Sequence, residues 1–251
     1  MKIIVLGSGT STGVPEIGCR CEVCSSSDPR DNRMRSSILV ENGNDHILID
    51  CGPDFRTQML KHQPLQPNAL LLTHLHYDHV GGIDDLRPFC RHQAFRVYAE
   101  RRAADGLREK YSYMFQDHKY PGIPDIDLIT IHRYPFQVGA TWVTPIRLYH
   151  YKLPVLGFRI GDVAYLTDFT VMPDAELEKL KGVKLVIMDA LRKTRHLSHL
   201  SLEEAIALSR TIKAPVTYFT HISHQMGLYK KVNTSLPDGF NLAYDGLVLE
   251  I

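Results

Sequence analysis

A strand that ends in four potential metal ligands limits the folds open to this chain more than any other feature. The apolar run Leu70–Leu72 leads directly into His74, His76, Asp78 and His79. In an extended chain, residues two apart share one face, so His74 and His76 can point at one metal ion. Asp78 and His79 lie where the chain turns and can address a second ion. A solvated polar loop would explain one histidine here, but not four ligand-type side chains in six residues.

Three further ligand-type residues follow later apolar runs. His150 follows Pro145–Tyr149, Asp168 follows Tyr165–Thr167, and His221 closes a third run. Polar side chains at the ends of strands collect at one edge of an α/β sheet. Each residue alone would be read as a cap or a loop residue, but together with the first cluster they give seven ligands. Imidazole and carboxylate ligands suit two divalent cations, zinc or manganese, that share one carboxylate.

A second group of ligands lies near the N-terminus. Cys19, Cys21 and Cys24 fall within six residues and supply three thiolates to a tight loop. Tetrahedral zinc accepts this geometry and needs a fourth ligand, for which His224 is the best candidate. Buried thiols or a redox pair are the alternatives, but the loop is polar and lacks a thioredoxin context. We therefore expect one structural zinc ion in a knuckle near residues 18–35.

The order of the predicted elements indicates one α/β domain with mixed sheets over residues 1–251. Short β-type runs alternate with helical patterns from end to end, and no linker divides them. Gly161-Asp162 predicts a hairpin turn, and Ser201 begins a capping box ahead of a helix. Two further helices are expected over Arg101–Phe115 and His224–Val232.

Composition excludes several functional classes. The chain is 44% hydrophobic and 23% charged, which is typical of a globular protein. Its net charge of +1 gives no surplus with which to coat a polyanion, so we do not expect a nucleic-acid partner. The apolar runs are too short to span a bilayer, and the first one stops at Gly7 like a strand rather than an export signal. We therefore expect a cytoplasmic protein without a membrane partner.

The glycine-rich loop Gly7–Pro15 supports neither a Rossmann nor a Walker site, because its glycines match neither pattern. Two interpretations stay open. The loop is either a tight turn after the first strand, or its backbone N–H groups reach a phosphate oxygen.

The ligand motif resembles the metallo-β-lactamase superfamily. The resemblance rests on the run from His74 to His79, on the three later ligands, and on Asp50-Cys51-Gly52, and it covers essentially the whole chain. It implies an αββα sandwich of two mixed sheets flanked by helices, with the metals at one edge. It also implies two cation sites that share Asp168, one formed by His74, His76 and His150, the other by Asp78, His79 and His221.

The cysteine knuckle, together with Thr220–Gln225, narrows this resemblance. The pair is similar to the phosphoribosyl 1,2-cyclic phosphate phosphodiesterases of bacterial phosphonate degradation. The loop Gly7–Pro15, however, looks more like a wider branch that includes tRNA 3′-end-processing nucleases and the pyrroloquinoline-quinone biosynthesis protein. The resemblance therefore implies a phosphodiester substrate more strongly than it implies the cyclic ribose phosphate in particular. The resemblance also implies a homodimer.

Hydrolysis of a phosphodiester needs a proton for the departing alkoxide. His199, two residues before the capped helix, is our candidate general acid, because the related phosphodiesterases carry a histidine just ahead of this helix. His196 competes for the role of general acid. Asp78 is expected to take part in catalysis and also to bind a metal ion. The predicted function is a dinuclear metallophosphodiesterase with a small phosphodiester substrate.

Three other functions remain alternatives at this point. A tRNA 3′-processing-type nuclease is the nearest, although the chain has no long arm and no basic surplus with which to grip RNA. A thioester or lactam hydrolase would use the same ligands but would not need the proton from His199. A non-catalytic cofactor-biosynthesis accessory protein would not need the complete catalytic motif.

Overall fold

The structure, a computed structural model, describes residues 1–116, 118 and 120–251. Within them, fourteen strands form two sheets. The strands are β1 (Lys2–Gly7), β2 (Ser37–Asn42), β3 (Asp45–Ile49), β4 (Ala69–Leu71), β5 (Phe95–Glu100), β6 (Ile126–Ile131), β7 (Phe136–Val138), β8 (Thr141–His150), β9 (Leu153–Ile160), β10 (Val163–Leu166), β11 (Leu185–Asp189), β12 (Val216–Thr220), β13 (Phe240–Leu242) and β14 (Val248–Glu250).

The helices lie between these strands. The α-helices are α1 (Phe55–His62), α2 (Tyr77–Val80), α3 (Arg101–Lys110), α4 (Asp174–Leu177), α5 (Leu202–Ile212) and α6 (Tyr229–Asn233). Short 3₁₀ helices cover Pro29–Asp31, Ile83–Cys90, Ser112–Phe115, Glu178–Leu180 and His224–Met226. Among the described residues, no helix has the length and apolarity that crossing a bilayer requires.

Each sheet is antiparallel in one half and parallel in the other. The first has the order β14-β1-β2-β3-β4-β5-β6, and its pairings are parallel from β3 to β6. The second has the order β13-β12-β11-β10-β9-β8-β7, and its pairings are parallel from β10 to β13. Since parallel strands share a direction, their carboxyl ends meet at one edge of each sheet.

The two sheets pack face to face, and helices cover their outer faces. Strand β10 shows why, because its four residues are all buried but alternate in direction. Val163 and Tyr165 point into the core between the sheets, whereas Ala164 and Leu166 pack in the core on the helix side of their sheet, which includes residues of α5. On the other side, α1 and α3 pack on the outer face of the first sheet. The αββα sandwich expected from the sequence is confirmed.

Two local predictions, a hairpin and a capping box, are confirmed, whereas two predicted helices are interrupted. The hairpin at Gly161-Asp162 is confirmed between β9 and β10, and Ser201 forms the predicted capping box with Glu204. The helix expected over His224–Val232 is wrong, because Gly227 has a φ of 101° and separates the 3₁₀ turn from α6. The helix expected over Arg101–Phe115 ends at Lys110 and resumes as a 3₁₀ turn.

Candidate metal centre

Three residues of the site have left-handed backbone conformations one or two positions after the end of a strand. Asp50, Asp168 and His221 follow β3, β10 and β12 with φ angles of 63°, 55° and 56°. This conformation is uncommon for residues other than glycine and costs free energy. It turns each side chain at the end of its strand toward the cleft between the two sheets. The ends of these strands therefore bring the three side chains to the same part of the molecule.

The first cluster combines two carboxylates and two imidazoles. Ligand atoms of Asp78, His79, Asp168 and His221 all lie within 4.8 Å of one another. Nε2 of His79 lies 3.2 Å from Asp78 Oδ2 and 3.3 Å from Asp168 Oδ2. Nε2 of His221 lies 3.4 Å from Asp78 Oδ2 and 3.2 Å from Asp168 Oδ1. All four residues are buried, so this is a dry and highly charged pocket.

The second cluster lies beside the first and shares Asp168 with it. Ligand atoms of His74, His76 and Asp168 lie within 4.8 Å of one another, and His74 Nε2 is 3.7 Å from Asp168 Oδ2. The ring of His150 completes the group, with its centroid 5.1 Å from that of His76 and 5.9 Å from that of His74. Strand β4 ends at Leu71, so His74 and His76 lie in a loop rather than in the extended strand that we predicted.

Each of three imidazole rings is oriented by a contact at Nδ1, the nitrogen that faces away from the cluster. Nδ1 of His79 lies 2.7 Å from Asp50 Oδ2, and Nδ1 of His74 lies 3.0 Å from Thr73 Oγ1. Nδ1 of His150 lies 2.8 Å from the carbonyl oxygen of Ser198. In each case Nε2 is left to face the cluster, which is the arrangement that metal-binding histidines adopt.

The residues present fit divalent cations. Within the described part of the chain, the buried Nε2 atoms of His74 and His79 have no hydrogen-bond partner, although buried polar atoms normally have one. Burial holds the pKa of His74 well below its usual value, so this ring is neutral and keeps a lone pair for a ligand bond. Burial opposes charge on Asp168, but His221 and His79 outweigh it and lower the pKa of that carboxyl. Neutral imidazoles and ionised carboxylates are the forms that bind divalent metals.

His199 lies at the edge of these clusters and is held by a carboxylate. Its Nδ1 lies 3.0 Å from Asp189 Oδ2, and its ring stacks on His221 at a centroid distance of 4.8 Å. Burial opposes its charged form, but Asp189 outweighs burial and raises the pKa of His199 to about 9. Among the described residues, His196 has no such carboxylate partner, and burial lowers its pKa. The two histidines therefore differ in hydrogen bonding and in the direction of their pKa shifts.

The cysteine cluster forms a separate site. Ligand atoms of Cys19, Cys21, Cys24 and His224 lie within 4.8 Å of one another. Backbone N–H groups point at two of the sulfurs, from Glu16 to Cys24 Sγ and from Cys24 to Cys21 Sγ, each at 3.4 Å. The second of these hydrogen bonds lowers the pKa of Cys21, which favours its thiolate. Three sulfurs and one imidazole in a tight loop fit tetrahedral zinc.

Sequence reasoning missed the two carboxylates that orient the histidines. Asp189 is fully buried at the end of β11, and Asp50 was noted only as part of a family motif. Asp189 terminates an apolar run just as Asp168 and His221 do, so its position was a signal that could have identified it.

The glycine-rich loop Gly7–Pro15 is a tight turn, and the alternative of a phosphate-binding loop is wrong for five of its amides. The N–H groups of Gly9, Thr10 and Val14 donate to the carbonyl oxygens of Met34, Ile222 and Arg33, respectively. The N–H of Gly13 donates to the carbonyl oxygen of Thr10, and that of Ser8 donates to Asp245 Oδ1. These donors hold the turn together and are not free for an anion.

Two cavities flank the histidine and aspartate clusters. One, of about 240 Å³, is lined by His74 and His76 and by the charged side chains of Glu100 and Arg102. The other, of about 550 Å³, is lined by His196 and by residues that neighbour His150 and Asp168 in the chain. The second volume lies within the range of small-molecule sites.

Comparison with known sequences identifies one matching family and several relatives. A family model described as a β-lactamase superfamily domain matches residues 45–222. A protein of Porphyromonas gingivalis named octanoyltransferase is 44% identical over 250 residues, which are 98% of this chain but 51% of that protein. The chain therefore spans about half the length of this relative. A coenzyme PQQ synthesis protein B of Xanthomonas oryzae pv. oryzae is 25% identical, with 100% of both chains covered.

Solved structures show the same architecture. The crystal structure of a diphosphatase from the PhnP family has a TM-score of 0.92 and 39% identity, covering 99% of this chain and 96% of that one. Zinc-bound PqqB from Methylobacterium extorquens has a TM-score of 0.82 at 21% identity, with 100% of both chains covered. The second likeness shows the fold alone.

Proposed function

The chain belongs to the metallo-β-lactamase superfamily, and on this basis we propose that it hydrolyses small phosphodiesters or diphosphates with a pair of divalent metal ions. The observation that carries the proposal is the single carboxylate of Asp168, which lies beside His74 of one cluster and beside His79 and His221 of the other. One shared carboxylate between two ligand groups is the arrangement that a dinuclear site needs.

The chain offers a complete ligand set for both ions. His74, His76 and His150 would hold one, Asp78, His79 and His221 the other, and Asp168 would bridge them. Divalent cations in such a site acidify water and neutralise charge on phosphoryl oxygens. The ligands serve zinc or manganese equally.

His199 supplies the proton that the leaving oxygen needs. Because Nδ1 of His199 faces Asp189, the proton for the substrate is carried at Nε2. A ligand nitrogen of His199 lies within 4.8 Å of ligand atoms of His150 and Asp168, so the ring reaches the centre of the site. His196 lies farther out and is a neighbour of His199 rather than its replacement, with ring centroids 5.3 Å apart.

The phosphate chemistry is supported by the diphosphatase of the PhnP family, which is 39% identical over nearly the full chain. A diphosphate linkage and a phosphodiester make the same demands: an attacking water, neutralised phosphoryl oxygens and a protonated leaving oxygen. We therefore include both bond types in the proposed substrate class.

We further propose that Cys19, Cys21, Cys24 and His224 hold one structural zinc ion. The cluster supplies four protein ligands, so tetrahedral zinc bound there has no open position for a substrate.

The transferase name of the Porphyromonas gingivalis relative does not define the proposed activity. That protein is about twice as long as the segment matched here. In the described part of the chain, the two clusters present histidines and aspartates, and the nearby Cys51 is fully buried with a raised pKa. We propose that octanoyl transfer is not an activity of this chain, and an octanoyl-transfer assay on the purified protein tests this.

The decisive experiment compares three substrates with the metal-replete protein: bis(p-nitrophenyl) phosphate, 2′,3′-cyclic AMP and ADP-ribose. We expect turnover of at least one of them, loss of activity in His76→Ala, and normal activity in His92→Ala, which changes an exposed histidine outside the site. Metal analysis should give more than one ion per chain. A metal-replete protein that hydrolyses none of the three substrates would contradict the proposal, as would specific cleavage of precursor tRNA.

The role of His199 is tested by comparing two substrates whose leaving groups differ in basicity. General acid catalysis matters most when the leaving oxygen is basic, so His199→Ala should slow the cyclic nucleotide by about 10²–10⁴. The loss with bis(p-nitrophenyl) phosphate, whose leaving group needs no proton, should be much smaller. An equal loss on both substrates, or loss of metal in this variant, would mean that His199 is a ligand and not the acid.

A further inference from the structure

The larger cavity beside the site is built from residues that adjoin the proposed ligands. Tyr151 follows His150, and Thr170 and Val171 follow Asp168 by two and three positions. The N–H groups of Thr170 and Val171 donate to the carbonyl oxygen of Tyr149 at 2.9 and 3.3 Å. These hydrogen bonds hold the wall of the cavity against the end of β8. Any molecule in this cavity therefore contacts chain segments that carry His150 and Asp168.

The walls of this cavity combine exposed apolar side chains with one ion pair, between Arg195 and Glu204. Tyr151 is 51% exposed, Val171 52% and Leu197 71%. Large apolar side chains grouped on a surface expose area that water disfavours, and such patches mark binding sites. Three of them around one cavity indicate a ligand with an apolar face.

The backbone at Tyr151 is held in an unfavourable conformation. Its φ is 54°, in the left-handed region, which is a genuine outlier for a bulky side chain. Such strain persists where the surrounding structure enforces it, and it is common at binding sites. Here it places the phenol ring in the wall of the cavity, and the ammonium group of Lys152 lies 5.4 Å from the ring centroid.

The cavity also lies on the side of the proposed proton donor. His196 lines it, and the ring centroid of His196 is 5.3 Å from that of His199. Leu200, the residue after His199, lines it as well. Since the leaving oxygen must meet His199, the part of the substrate attached to that oxygen extends into this cavity. The smaller cavity, next to His74 and His76, also has apolar lining residues. Among the described residues that line it, however, there is no tyrosine, phenylalanine or tryptophan on which a flat ring could stack.

We propose that the cavity between Tyr151 and Leu197 binds the leaving portion of the substrate and that this portion carries a flat aromatic ring, such as a nucleobase, stacked on Tyr151. This inference rests on the proposed function, because it uses His199 to decide which side of the bond leaves. It makes the substrate a nucleotide-type phosphodiester or diphosphate rather than a bare sugar phosphate. Tyr151 and Leu197 are then specificity-determining residues.

The test measures binding by isothermal titration calorimetry with two probes, adenosine 5′-monophosphate and ribose 5-phosphate. The probes share the phosphate and the sugar and differ by the base. Stacking of one base on an aromatic side chain is worth a factor of about five to one hundred in affinity. We expect the metal-loaded wild type to bind the nucleotide more tightly by this factor, and Tyr151→Ala to remove the preference without weakening ribose 5-phosphate.

Three further variants make the test specific. Tyr151→Phe should keep the preference, because it keeps the ring, and Tyr134→Ala, which changes an exposed tyrosine outside the cavity, should leave it unchanged. Leu197→Asp changes a 71% exposed residue, so it should fold normally, and it should reduce the preference by replacing apolar surface of the cavity with a charge.

Equal affinity for the two probes in the wild type would overturn the inference. So would a preference that survives both Tyr151→Ala and Leu197→Asp. Neither result depends on turnover. A wild type that hydrolyses bis(p-nitrophenyl) phosphate but does not prefer the nucleotide would leave the proposed function intact and remove only this inference.

Discussion

In the metal centre, three histidines are each paired with a polar side chain. The histidine faces the cluster, and its partner contacts the other side of the imidazole ring. Asp50 stands behind His79, Thr73 behind His74, and Asp189 behind His199. The outer partner fixes which nitrogen carries a proton and where the other nitrogen points. The same pairing has different consequences. His74 and His79 turn Nε2 toward the shared Asp168, whereas His199 keeps Nε2 for the proton transfer that we propose.

Replacing Asp189 by Asn should impair the reaction without removing the metals. Asn keeps the shape of the side chain but lacks the negative charge that raises the pKa of His199 to about 9. We expect kcat for 2′,3′-cyclic AMP to fall about ten- to a hundredfold, KM to change little, and the metal content to stay at the wild-type value. Steady-state kinetics and elemental analysis check this.

The control for this prediction is the double variant Asp189→Asn/His199→Ala. If Asp189 acts only through His199, the double variant should be no slower than His199→Ala alone. Multiplied losses, or a metal-depleted Asp189→Asn protein, would show instead that Asp189 acts on the metal site.

At the scale of elements, the sequence identified the strands with continuous apolar runs and missed some of the short ones. The apolar runs of β1, β2 and β11 are continuous, so their positions followed directly from the pattern. Strands β7 and β13 have three residues each with a polar residue at the centre, Gln137 and Asn241, so they lack the apolar run that marks the equally short β4. The ligand residues could be found because they follow apolar runs. Asp189, the partner of His199, is harder to find because it is itself the last residue of the apolar strand β11.

The two sheets are also joined by a polar contact that depends on one glycine. Asp45 at the start of β3 accepts hydrogen bonds from Ala140 N at 2.9 Å and from Thr141 Oγ1 at 2.7 Å, at the start of β8. Gly139 has a φ of 60°, and a Cβ there would lie 1.8 Å from Asp45 Oδ1. Any larger residue at this position therefore displaces the carboxylate that links the sheets.

Gly139→Ala should destabilise the protein more than Gly43→Ala does. Gly43 has the same φ of 60° but no neighbour within 4 Å of a Cβ, so its substitution costs only the backbone strain, about 1 kcal/mol. Gly139→Ala adds the loss of the Asp45 hydrogen bonds, which should bring the total to about 2–4 kcal/mol. Urea unfolding of both variants measures the difference. Equal losses of unfolding free energy would contradict the role of Asp45.

At the scale of the whole molecule, the cysteine loop lies where distant parts of the chain meet. Asp31 Oδ1 accepts a hydrogen bond from the backbone N–H of Tyr229, and the guanidinium of Arg30 lies over the Tyr229 ring. The buried Arg33 donates to Ser8 Oγ and to the carbonyl oxygen of Ala243. The loop thus connects the first strand, α6 and the C-terminal segment.

His224 extends these connections to the catalytic clusters. It is three residues beyond His221, so the proposed structural zinc also anchors the segment that carries a catalytic ligand. A cation at the cysteine site should therefore stabilise the whole molecule, beyond its effect on the loop itself.

Removing that cation should lower the thermal stability of the entire protein. A ligand bound only to the folded state stabilises by about 1.4 kcal/mol for each tenfold rise in its free concentration above Kd, or about 3–5 °C in Tm for a chain of this size. To isolate the cysteine site, the titration uses His74→Ala, in which the catalytic cluster lacks one ligand. We expect Tm of His74→Ala to keep rising with free zinc, and Tm of His74→Ala/Cys24→Ser to be lower and to rise much less. The same slope in both variants would show that zinc stabilises the fold elsewhere, and that contacts such as those of Asp31 with Tyr229 and of Arg33 with Ser8 hold the loop without the ion.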